Sequence, residues 1–189
     1  MSSSAREFPS RHRLSTTDYR RMGEVGILPP GARVELIDGE IIDMAPIGSR
    51  HAAVVRQMAR LFQRAVGDTA LVSAQSPIAL GNLSEPQPDI ALLAPREDFY
   101  RNAHPGATDI FLVVEIADAS LRYDRDIKVP LYARHGITEV WLVDLENNQL
   151  MRYSGAGTER YLTVSKVTEL AHASPTALPG VTVDLSGVF

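Results

Sequence analysis

Three residues in the middle of the chain have types and spacing suited to phosphate chemistry. Asp89 follows Pro88 and opens the apolar run IALLA, and Glu115 closes the run FLVV. A carboxylate on a buried strand is costly unless it is paired or holds a cation. Two such acids on adjacent strands of one sheet make a small anionic pocket suited to a hard divalent ion such as Mg²⁺. Lys128 follows at the start of a helical pattern. A metal-dependent phosphodiester hydrolase needs carboxylates to hold an ion that polarises the phosphate and lowers the pKa of a water. It also needs a lysine to orient that water or offset developing charge. Acids at strand ends beside a lysine also occur in ordinary ion-pair networks, so spacing alone leaves both readings open.

The elements that must position these residues follow from periodicity. PDIALLA and DIFLVVEIA read as short strands, and the near-continuous apolar character of the first implies cover on both faces. DIKVPLYARHG reads as a helix ending before Gly136, and Pro130 fits if that helix starts near Asp126 or Ile127. DASLRYDRD is polar and is expected at the strand's end. EVWLVDL, NQLMRYS and RYLTVSKV read as three further strands in an antiparallel meander, with Asp144 as a cap or turn residue.

Upstream, VELIDGEIIDM flanks Asp38-Gly39 with two apolar runs, the pattern of a β-hairpin with a primed turn. That register puts Glu35 and Ile37 on one face with Glu40 and Ile42. Glu35 is then either a rim residue of an exposed hairpin or an additional site carboxylate. Ser15–Gly23 reads as a short capped helix, and Ser49 as the cap of a helix through Val66 stopped by Gly67. The apolar stripe of the second helix is Ala52, Val55, Ala59, Phe62 and Val66, with Arg56, Arg60 and Arg64 on another face read as solvated. His51 in its first turn reads as a surface or capping-region residue, with lining a site as the alternative. ALVSAQSPIAL is a further strand candidate, His104 reads as solvated, and residues 171–189 hold a Pro179-Gly180 turn and a final VTVDL run.

The 189 residues suffice for one well-buried domain, placed at 15–189 behind a Ser- and Arg-rich flexible tail at 1–14. Hydrophobic content of 44% and charged content of 22% are those of an ordinary globular chain. The longest apolar runs, about five residues, are too short to cross a bilayer, and MSSSAREFPSRHR lacks an apolar signal core, so a cytoplasmic location is expected. The absence of cysteine excludes disulfides, thiolate metal sites and cysteine nucleophiles. A net charge of −4 does not announce a nucleic-acid binder, although residues 1–21 carry five arginines against Glu7 and Asp18. No Gly-rich phosphate loop or paired-histidine motif is present.

Taken in order, ELIDGEIIDMAP, SRH before a helix, PQPDIALL, LVVEIADAS and YDRDIKVPLYARHGITEVWLVDL resemble the Uma-type putative restriction endonuclease family, a branch of the PD-(D/E)XK nuclease superfamily. The resemblance spans about residues 15 to 165. It implies an α/β (α+β) restriction-endonuclease-like fold, a mixed sheet flanked by helices with an N-terminal hairpin. By the same resemblance Asp89 and Glu115 are the metal-binding acids, with the Ile116 carbonyl beside them and Mg²⁺ or Mn²⁺ as the ion. Ala117 stands where superfamily members usually carry lysine, and Lys128 on the next helix is the matching position. Glu35 matches the acid of the hairpin motif. DNA is the implied substrate and a homodimer the implied assembly. The alternatives are a catalytically silent nucleic-acid-binding protein on this fold, and an oligomeric protein whose acids pair with Arg122 or Arg125.

Overall fold

Asp38 and Gly39 take φ values of 48° and 79°, the doubly positive geometry of a type I′ turn. They join β1 (Val34–Ile37) to β2 (Glu40–Asp43), with Glu35 opposite Ile42 and Ile37 opposite Glu40. A computed structural model describes residues 10–189 of the chain. Most of the expected tail, residues 1–9, lies outside the described residues. Arg13 and Leu14 lie against the hairpin turn, Arg13 Nη1 donating to the Asp38 carbonyl at 2.6 Å and the Leu14 amide to the Gly39 carbonyl at 2.9 Å.

The main sheet is mixed, in the order β3 (Leu71–Ala74), β4 (Ile90–Leu93), β5 (Ile110–Ala117), β6 (Glu139–Asp144), β7 (Gln149–Ala156) and β8 (Tyr161–Lys166). β5 and β6 run parallel, and the other neighbours are antiparallel. The expected strand through residues 70–80 is realised only as β3. Asp144 does act as a turn residue, accepting from the Asn147 amide at 3.0 Å.

One face of the sheet is covered by α2 (Ser49–Val66) and by C-terminal side chains including Leu178, Val183 and Leu185, with Phe62 5.8 Å from Trp141 between ring centroids. α1 (Thr16–Glu24) begins at a capping box between Ser15 and Asp18. The cap of α2 differs from expectation: Gly48 is the N-cap, and Ser49 is the first helical residue. On the other face lie the hairpin's Ile37 and the helical segment carrying Val129, Leu131, Tyr132 and Ala133. Along β5, Leu112, Val114 and Ile116 face α2, whereas Val113 and Ala117 face the opposite layer. Strand alternation therefore turns Glu115 toward the second helical segment.

That segment starts earlier than the apolar pattern suggests. α3 (Leu121–Tyr123) passes into a π turn (Asp124–Lys128) and then α4 (Val129–Arg134). The Val129 amide bonds to the Asp124 carbonyl five residues back. Pro130 has no amide to close an α-helical bond, and its ring would crowd the carbonyl four residues earlier. A widened turn immediately before it removes that conflict. The polar stretch LRYD is thus helical rather than a strand-end loop.

Candidate active site

Asp89 sits at the entry to β4, and its carboxylate is clamped rather than free. Oδ2 accepts from the Ile116 amide at 2.9 Å and lies 3.0 Å from His51 Nε2. Among the described residues Oδ1 meets only the Gln75 side-chain Nε2, at 3.3 Å. The chain reaches Asp89 from the hairpin side: the Glu85 amide bonds to the Leu36 carbonyl at 2.7 Å, and the Gln87 amide to Glu35 Oε1 at 2.7 Å. Segment 84–89 therefore couples the positions of Glu35 and Asp89 through backbone.

Lys128 is the hub of the second half. Its ammonium lies 2.8 Å from Glu115 Oε1 and 3.1 Å from Glu35 Oε1. All three are nearly sealed from solvent, with exposures of 4% for Lys128 and 2% for each acid. Tyr132, fully buried, donates its hydroxyl to Glu115 Oε1. Asp124, also buried, accepts from Ser120 Oγ at 2.5 Å.

Burial is the leading cause of the electrostatic character here. It pushes Glu115 up to about 8, opposed by Lys128 and reinforced by Asp124, Asp89 and Glu35. Asp124 is raised for the same first reason. Burial works against the Lys128 charge, but Glu115, Glu35 and Asp124 outweigh it and hold its pKa above the ordinary lysine range. His51 is raised chiefly by its bond to Asp89, with burial opposing.

The structure gathers Asp89, Glu115, Ile116, Lys128 and Glu35 in one locality, and Glu35 is a buried partner of Lys128 rather than a rim residue. Neither Arg122 nor Arg125 supplies the acids' counter-charge; Arg125 pairs with Asp126 at 2.7 Å. His51 belongs to the site, not to the surface. A signal was present: His51, Val55, Met58 and Phe62 recur at i, i+4, i+7 and i+11, which puts the histidine on the apolar face. Nothing in the local sequence marks Gln75 or Tyr132, since their partners Asp89 and Glu115 are 14 and 17 positions away.

The donor set fits a hard divalent ion. Several buried carboxylates surround a single ammonium, and their mutual repulsion is relieved by a cation. Both hydrogen bonds to Glu115 fall on Oε1, and Asp89 Oδ1 is held only weakly. Among the described residues no group of three or more His, Asp and Glu side chains is arranged to hold a metal.

A mixed sheet flanked by helices, with acids at neighbouring strand ends, places the chain among restriction-endonuclease-like nuclease folds. The chain belongs to the family described as Uma2, putative restriction endonuclease, which it matches over residues 16–186. Its fold is similar to the crystal structure of a putative nuclease belonging to DUF820 from Anabaena variabilis ATCC 29413. The TM-score is 0.73 and the identity 16%, covering 93% of this chain and 97% of that one. A comparison with curated proteins found no match.

Proposed function

We propose that this chain is a metal-dependent endonuclease of the PD-(D/E)XK type that hydrolyses DNA phosphodiesters. The observation that carries the reading is the buried Lys128 ammonium held between Glu115 and Glu35, beside a clamped Asp89. Asp89 and Glu115, with the Ile116 carbonyl, would hold Mg²⁺ or Mn²⁺. The ion would supply Lewis-acid polarisation of the phosphate and a lowered pKa for an attacking water. Lys128 orients that water and offsets charge developing on the phosphate. Glu35 anchors the ammonium, so that it keeps its place when Glu115 turns toward an ion. His51 and the Ile116 amide fix Asp89 Oδ2 and leave Oδ1 for the ion.

The test is cleavage of plasmid and single-stranded DNA with Mg²⁺, Mn²⁺ or EDTA, with Lys128→Ala alongside wild type. Metal-dependent nicking that is lost in the variant supports the reading. Undiminished cutting by Lys128→Ala removes the lysine from it. A second reading, a catalytically silent nucleic-acid-binding or oligomeric protein on this fold, draws on the same observation, because Lys128 is fully paired as in a structural ion network. Metal binding without turnover favours it. A homodimer belongs to the proposal as well: β8 is an edge strand with Leu162 80% exposed. Sedimentation of wild type as a monomer would remove it.

A further inference from the structure

Among the described residues two polar atoms near the acid cluster are buried yet have no hydrogen-bond partner: Tyr123 Oη and His51 Nδ1. A buried orphan polar atom is rare enough to require an explanation. The tyrosine is the more informative of the two. Tyr123 directly precedes the buried Asp124 and lies one widened turn before Lys128, and among the described residues its buried hydroxyl finds no hydrogen-bond partner. The π turn puts it there. Residues five apart on a regular α-helix point about 140° from each other, which would set Tyr123 away from Lys128. The widened turn at Asp124–Lys128 brings them toward one face, and such turns concentrate at functional sites. Burial pushes the Tyr123 hydroxyl up to about 12, so at neutral pH it stays a neutral donor. Lys128 is engaged by two carboxylates, which leaves one of its three N–H groups for the water and phosphate and makes a further donor useful to an anionic substrate.

We infer that Tyr123 is a catalytic residue whose hydroxyl donates a hydrogen bond to a non-bridging oxygen of the bound phosphodiester. The inference rests on the nuclease reading and adds the substrate-contacting donor to it. A neutral donor suits the position, since it can approach phosphate without adding another charge to a buried cluster.

The decisive variant is Tyr123→Phe, which removes one oxygen and leaves the ring. Three measurements go together: melting temperature, affinity for a short single-stranded oligonucleotide with Ca²⁺ in place of Mg²⁺, and the steady-state cleavage of plasmid with Mg²⁺. The expected result is an unchanged or higher melting temperature, because an unsatisfied buried group has been deleted. Oligonucleotide binding should weaken about 5-fold or more, and kcat should fall about 10- to 100-fold. A lowered melting temperature with unchanged binding and kcat would mark the hydroxyl as structural and overturn the inference. If wild type cuts and Tyr123→Phe cuts and binds equally well, the tyrosine assignment fails and the nuclease reading stands. If wild type binds the oligonucleotide without cutting and the variant binds more weakly, the phosphate contact stands and the nuclease reading fails. Wild type that neither binds nor cuts overturns both.

Discussion

Glu115 concentrates the site's chemistry in one titration. Its pKa is raised to about 8 by burial, against an ordinary value near 4.5, so between those limits the folded chain binds a proton that the unfolded chain has released. Stability then falls with rising pH across that window. Lys128 adds no slope there, since its pKa lies above its ordinary range and it is charged in both states. In EDTA the wild-type melting temperature should therefore drop from pH 5 to pH 8, and Glu115→Gln should make the drop shallower, the remainder belonging to Asp124 and His51, whose pKa values are also raised. An equally steep drop in the variant would place the proton elsewhere. The lysine makes the complementary prediction. Lys128→Met leaves Glu35 and Glu115 buried without their counter-charge, a change that costs about 3–5 kcal/mol. Urea unfolding should show that loss at pH 8 and a smaller one at pH 5, where Glu115 takes up its proton.

At the scale of elements, the hairpin is the part most fully legible in the chain. Its turn residues, alternation and register all agree, and Gly39 is indispensable to it. A Cβ on Gly39 would stand 2.6 Å from Arg13 Cβ, at a φ of 79° that side chains rarely adopt. Gly39→Ala should destabilise the protein by about 1–3 kcal/mol in urea unfolding and loosen the hairpin that carries Glu35. Equal stability would mean that residues 13–14 do not pack on the turn in solution. α2 was legible because its apolar residues keep a helical period, and β4 to β6 because short continuous apolar runs mark strands covered on both faces. The α3–α4 segment was not. Its polar first turn looks like a loop, and Pro130 signals a late start, whereas the π turn that reconciles them leaves no periodic trace. Glu35 and His51 were ambiguous because what buries them lies elsewhere in the sequence. Glu35 is covered by a lysine 93 positions away, and His51 by an acid 38 positions away. Local pattern reports which face a residue occupies, not which distant group meets it there.

For the whole molecule, the question is whether the buried acids are structural ballast or a site waiting for a ligand. Among the described residues no helix is long and apolar enough to cross a membrane, and the acids lie between the sheet and elements on both of its faces: His51 comes from α2, Lys128 from the opposite layer. An ion held there would tie those layers together and be absent from the unfolded chain. A ligand specific to the native state raises stability in proportion to the logarithm of its concentration over Kd, by about 2.7 kcal/mol at 100 Kd. The melt should show a transition that Mg²⁺ or Mn²⁺ moves upward and EDTA returns. The increment should grow from pH 5.5 to pH 8, since the ion competes with the proton on Glu115. Asp89→Asn keeps the shape of the side chain and its place beside Ile116 but removes a charge, so its melt should lose the metal increment while remaining cooperative. If wild type and Asp89→Asn respond identically to the ion, the cation binds elsewhere on an acidic surface, and the cluster of Glu35, Asp89, Glu115 and Lys128 is an ion-pair network that holds the hairpin to the sheet.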